Sequence, residues 1–231
     1  MKNNPLLQDF AIWLNPTSLA AFPKLEVMKL AASVMKSKAK EIPAGVQKTI
    51  SQGLRNTPHD LGVFVLRLYF YQILHLDEFS LDLRKKQFVF LNGHWHYEST
   101  GLAFGFGENL RSALGETYQY YYTQPKGDLI EPLIRMRLIQ PSWLDTDKKE
   151  VESAFIKHFK GADSTKQAFT ITDLVRSFTE IFVLIRDKGG KVPAEFSMLG
   201  IYLTSMYLTL DQVGGAFDVK ACYLFARDLE N

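Results

Sequence analysis

The sequence predicts a mainly α fold with a small β-hairpin insert near residues 79–104. Three observations carry that prediction. Apolar residues recur at helical spacing along most of the chain. One stretch, LGVFVLRLYFYQILHL from Leu61 to Leu76, is apolar on almost every face, the pattern of a helix buried inside a fold. After Leu76 the period changes: FSLDL and QFVFL alternate, and Asn92-Gly93 supplies the positive-φ residues of a type I′ hairpin turn.

The elements follow in order. Residues 1–16 carry Phe10, Ile12, Trp13 and Leu14 and read as a segment packed on the body. From Lys24 to Lys40, Leu25, Met28, Ala32 and Met35 recur at helical spacing, with Lys29, Lys36, Lys38 and Lys40 on the polar face. Pro43 ends that helix, and residues 44–55 read as a short second one. Thr57-Pro58-His59-Asp60 is a helix start: a Thr cap, Pro at the first helical position and an acid in the first turn. Beyond the hairpin, Gly101, Gly105 and Gly107 mark a loop. Helices are expected near 109–123, 126–139, 147–160, 171–188, 193–210 and 217–229. Thr172 with Asp173 and Pro193 with Glu195 open two of them, and Gly189 suits a left-handed C-terminus. With no linker, repeat or low-complexity tract, the reading is one helical domain over 1–231. Residues 1–58 form its N-terminal extension and 59–231 its body.

Composition narrows the function classes. Hydrophobic residues make up 46% and charged residues 23% of the 231, which excludes a disordered or fibrous chain. Lys+Arg total 27 against Asp+Glu 25, a net charge of +2 that is too balanced to argue for nucleic acid. The single cysteine, Cys222, excludes an intramolecular disulfide and a cysteine zinc cluster, and fits a cytoplasmic chain. Arg67, Glu180 and Arg186 interrupt the apolar runs, so no membrane-spanning helix is expected, and the N-terminus lacks the features of a signal peptide. The basic helix 24–40 is a place for peripheral contact with an anionic membrane.

Few motifs carry chemistry. His94-x-His96 puts two imidazoles on one strand face, with His75, Asp77 and Glu98 as the nearest further metal ligands. Tyr118, Tyr120, Tyr121 and Tyr122 fall in one helix and read as a core face with hydroxyls at its rim. Gly105-x-Gly107 starts a phosphate-loop pattern without its Lys-Ser/Thr. His75-x-Asp77 follows the buried helix and precedes the hairpin, where a kinase-like lobe carries its catalytic acid.

Three stretches together resemble the AarF/UbiB family of atypical kinase-like proteins. Residues 178–219, FTEIFVLIRDKGGKVPAEFSMLGIYLTSMYLTLDQVGGAFDV, look like the family's terminal helices. Residues 59–83, HDLGVFVLRLYFYQILHLDEFSLDL, are similar to the helix leading into its catalytic loop. Residues 101–110, GLAFGFGENL, sit where the family has Asp-Phe-Gly. The resemblance implies a helical kinase C-lobe. In it His75 and Asp77 match the loop His and catalytic Asp, Asp82 stands at the metal-binding Asn, and Gly105 and Gly107 flank the nucleotide. The departures imply lost catalysis. The Pro-His-Pro-Gly element is absent, Ala103 replaces the metal-binding Asp, and residues 1–58 are too short for the nucleotide-binding lobe. The expectation is a non-catalytic pseudokinase-like domain, without a resident cofactor, that binds a protein partner or an apolar, lipid or quinone-like ligand. The alternatives are residual Mg-ATP-dependent phosphotransfer or ATP hydrolysis through Asp77 and Asp82, and an unrelated helical scaffold.

Overall fold

The computed structural model describes residues 20–37, 41–123, 127–158 and 166–229. The expectations for residues 1–16, for Lys38 and Lys40, and for the ends of two helices (near 126 and 159–160) fall outside them. The described helices are α1 (Lys24–Val34), α2 (Ala44–Ile50), α3 (Pro58–His75), α4 (Glu108–Tyr122), α5 (Ile130–Arg135), α6 (Asp145–His158), α7 (Ile171–Asp187), α8 (Glu195–Val213) and α9 (Val219–Arg227). The strands are β1 (Glu78–Ser80), β2 (Phe88–Leu91), β3 (His94–Tyr97), β4 (Ala103–Gly105), β5 (Gln167–Ala168) and β6 (Ala216–Phe217). The fold is mainly α with a small β insert, as the sequence predicts.

α3 is the central helix. Thr57 accepts from the Asp60 amide at 3.1 Å and Pro58 opens the first turn. Its length is buried against α8 and α9. α8 is the second buried helix, with Ile201, Tyr202, Leu203 and Met206 in the core. Arg67, the one charge in the apolar run of α3, donates to the carbonyls of Ile50 (3.0 Å) and Gln52 (3.1 Å) at the end of α2. Its guanidinium also stacks 3.8 Å from the Phe225 ring centre. α3 and β6 meet at Gly62, where a Cβ would come within 2.2 Å of the Phe217 ring.

The hairpin forms as expected. Asn92 (φ 51°) and Gly93 (φ 80°) make the turn between β2 and β3. β1 pairs with β4, Ser80 opposite Ala103, and closes the insert at its base. α2 covers the free edge of β3: Ser51 Oγ accepts from the Trp95 amide at 2.7 Å and Gln47 Oε1 from the Tyr97 amide at 2.6 Å. Ser37 Oγ bonds both the carbonyl (2.7 Å) and the amide (3.1 Å) of Ala103, tying the segment after α1 to β4.

Several expectations are corrected. The stripe Leu25, Met28, Ala32 and Met35 faces solvent, because the opposite side of α1 (Leu30, Ala31, Val34) packs on the body. The second helix ends at Ile50 and the one near 126–139 covers only 130–135. Thr170 caps α7, accepting from the Asp173 amide at 3.1 Å, so the helix starts before Thr172. Gly189 (φ 75°) does end α7: its amide bonds Arg186 (2.8 Å) and that of Gly190 bonds Ile185 (2.9 Å), a Schellman pair. The β5–β6 pair was not expected; two-residue strands carry no readable period.

Candidate functional site

The three expected acid-base and metal residues are each bonded to a different partner. His75 ends α3 with Nε2 2.7 Å from the Ala226 carbonyl and its ring against Tyr71, so it joins α3 to α9. Asp77 is exposed and ion-paired with Arg111, which also donates to the Leu76 carbonyl at 3.1 Å. Asp82 is fully buried. Its Oδ1 accepts from Arg84 Nε (2.7 Å) and the Arg84 amide (3.2 Å), and its Oδ2 from Arg84 Nη2 (2.6 Å) and Gln87 Nε2 (2.9 Å). Both oxygens are spent on cation and amide donors. Gly105 pairs with Glu78 in the β1–β4 ladder, and Gly107 precedes the first turn of α4. His94 and His96 do share a strand face, but among the described residues no three His, Cys, Asp or Glu side chains group as metal ligands.

The segment following β1 is built into the core rather than presented to solvent. Leu81 and Leu83 are fully buried, and a buried backbone needs partners. The Leu81 amide donates to the Leu102 carbonyl at 3.0 Å, and side chains supply further partners. Gln72 Oε1 accepts from the Ser80 amide at 2.7 Å and its Nε2 donates to Tyr202 Oη at 2.9 Å. Ser205 Oγ accepts from the Leu83 amide (2.9 Å) and donates to the Leu81 carbonyl (2.8 Å). Thr209 Oγ1 donates to the Leu83 carbonyl and Tyr97 Oη to that of Asp82, at 2.7 and 3.0 Å.

One space large enough for a ligand lies beside α3 and α8. A mostly apolar gap of about 50 Å³ is lined by Tyr69 and Phe70 of α3, Tyr118 and Tyr122 of α4, Phe155 and His158 of α6, Phe178 of α7, and Leu203 and Tyr207 of α8. Beside it opens a cleft of about 550 Å³ lined by Ala154, Lys157, Gln167, Asp173, Arg176, Ser177 and Glu180. His158, Gln167 and Tyr207 line both. The gap is smaller than the 150 Å³ or so that holds benzene, while the cleft lies in the range of ligand pockets, about 300–1,000 Å³. Sequence reasoning missed this place, because its residues come from five helices far apart in the chain.

Burial sets the electrostatics of the gap. Tyr69 and Tyr118 join hydroxyls at 2.5 Å, and desolvation pushes the Tyr118 phenol up to about 12 and Tyr69 well above its ordinary value. Both therefore stay neutral. His158 Nδ1 lies 2.7 Å from Ser177 Oγ, which also reaches the Asp173 carbonyl at 2.9 Å. Desolvation pushes His158 down to about 4. In the cleft the charges pair among themselves, Lys157 with Glu180 at 3.1 Å and Arg176 with Asp173 at 2.5 Å. Cys222 is buried, and desolvation raises its thiol to about 12, so it stays protonated and unreactive at neutral pH.

His158 gives a pH prediction. Its folded pKa lies below the ordinary 6.5 or so, so the unfolded chain binds the extra proton as pH falls. The neutral ring's contribution is fully present above about pH 6.5 and is lost between there and about pH 4. Urea unfolding at neutral pH and near the lower bound should differ by roughly 3 kcal/mol from this group, and His158→Gln should remove that part of the slope.

No protein-family model matches the chain, and no curated protein matches it. Among the described residues no helix is long and apolar enough to cross a membrane.

Proposed function

We propose that the chain is a non-catalytic binding domain on a kinase-C-lobe-like frame, and that its ligand is an amphipathic molecule seated in the cleft beside α6 and α7. The observation that carries the non-catalytic half is the Asp82–Arg84–Gln87 lock. Asp82-Leu83-Arg84-Lys85-Lys86-Gln87 follows the D-L-x-x-x-N order of a kinase catalytic loop with Gln at the Asn position. On this reading the β2–β3 hairpin and Ala103-Phe104-Gly105 correspond to the hairpin and Asp-Phe-Gly of such a lobe. This register puts Asp82, rather than Asp77, in the place of the catalytic acid. A base must reach a substrate hydroxyl and a metal ligand must offer a free oxygen. Asp82 is sealed from solvent and doubly held by Arg84, and Ala103 offers no carboxylate, so Mg-ATP chemistry lacks its acceptors. The frame is that of the AarF/UbiB resemblance, here a pseudokinase.

The binding half rests on size and polarity. The cleft takes the body of a ligand and the gap behind it takes an apolar tip. A ring with a short tail and one or two carbonyls, quinone-like, fits both, with His158, Gln167 and Ser177 beside its polar edge. The location that suits such a protein is the cytoplasm, with its ligand drawn from a membrane. The test is thermal unfolding with decyl-benzoquinone. The midpoint should rise with ligand concentration. Ala154→Trp, which fills the cleft from its α6 wall, should abolish the rise. No rise, or a rise untouched by Ala154→Trp, would refute the binding half.

A further inference from the structure

α1 has two apolar faces. Leu30, Ala31 and Val34 pack on the body, and Leu25 (66% exposed), Met28 (69%) and Met35 (45%) stand in solvent with Ala32. At 100° per residue the outer four fall in one arc of about 80°. Lysines bracket it: Lys24 on one side, Lys29 and Lys36 on the other, all exposed. The helix's one carboxylate, Glu26, lies beyond Lys29.

We propose that this outer face docks on an anionic lipid surface. Three large apolar side chains in water are out of place on a soluble face, and the flanking ammonium groups suit lipid phosphates while their stems extend the apolar strip. The same charges argue against a second copy of the chain, because two-fold apposition of the stripes would bring lysines against lysines. Area argues likewise. Eleven residues make a helix about 16 Å long and about 10 Å wide, so one face projects to under about 200 Å², far short of the roughly 800 Å² per partner of a stable interface. The inference is independent of the ligand cleft and of the pseudokinase reading.

The experiment is co-flotation of the full chain with vesicles of phosphatidylcholine alone and of phosphatidylcholine with phosphatidylglycerol. Binding should appear with the anionic vesicles and weaken as salt rises. Leu25→Glu with Met28→Glu should lower the partition coefficient at least tenfold. Lys24→Glu, Lys29→Glu and Lys36→Glu together should do the same. All five positions are exposed, and unchanged thermal unfolding would show the fold intact. Three results would overturn the proposal: no flotation with anionic vesicles, equal binding to neutral vesicles, or binding indifferent to the Leu25 and Met28 changes. Sedimentation showing a dimer that those changes dissolve would assign the face to a second copy instead.

Discussion

Replacing Arg84 by Met is expected to destabilise the protein by roughly 3–5 kcal/mol, the cost of leaving a buried charge without its partner. Arg84 contributes three of the four hydrogen bonds to Asp82, and the Asp82 side chain is fully buried while that of Arg84 is only 11% exposed. With the guanidinium gone, only Gln87 and the residue-84 backbone amide face a carboxylate that is sealed from water, and no positive charge balances it. The double variant Asp82→Leu with Arg84→Met should recover most of the loss, because a buried pair exchanged for apolar side chains is often close to neutral. Urea unfolding of the two variants decides it. An Arg84→Met cost under about 1 kcal/mol would mean that Asp82 is open to solvent, as a working acid is and a structural ion pair is not.

Gln72→Leu should cost about 2–4 kcal/mol for a different reason. Gln72 is fully buried and satisfies two groups at once, the Ser80 amide and the Tyr202 hydroxyl. Leu has similar bulk and no polar atoms, so the packing survives and the amide is orphaned. Each buried group left unsatisfied costs about 1–3 kcal/mol. Tyr202 keeps its own donation to the Tyr69 carbonyl at 3.3 Å, which limits the damage on that side. Hydrogen exchange should show the Ser80 amide losing protection together with the Leu81–Leu83 segment that Ser205 and Thr209 hold. A loss confined to global stability, with that segment still protected, would mean that Gln72 does not hold it.

Much of the fold was legible where the local signal was unambiguous. Asn92-Gly93 permits one turn between two alternating strands, and Thr57-Pro58 with the apolar run after it defines α3 almost to the residue. α1 was legible as a helix but not in its orientation. Both Leu25-Met28-Ala32-Met35 and Val27-Leu30-Ala31-Val34 are apolar at helical spacing, and only contact with the body chooses between them. The burial of Asp82 was not legible either, because pattern alone does not separate it from the exposed Asp77. His75-x-Asp77 matches a two-residue pattern and Asp82 follows it closely, while the alternation FSLDL hides a loop inside a strand-like stretch. The β1–β4 pairing that closes the insert and the Gln87–Asp82 hydrogen bond are tertiary facts. The apolar gap was illegible for the same reason: Tyr69, Tyr118, His158 and Tyr207 are each ordinary in their own helices and meet only in the fold.

The central claim is that the loop aspartate is a locked structural ion pair and the chain does no nucleotide chemistry. The most direct test is thermal unfolding with and without millimolar Mg-ATP. A ligand that binds only the folded state stabilises it by about 2.7 kcal/mol at a hundredfold its dissociation constant, an effect readily seen in the midpoint. The account predicts no Mg-dependent rise. A rise that needs Mg²⁺ and is lost in Asp82→Asn would contradict it and return Asp82 to a catalytic site.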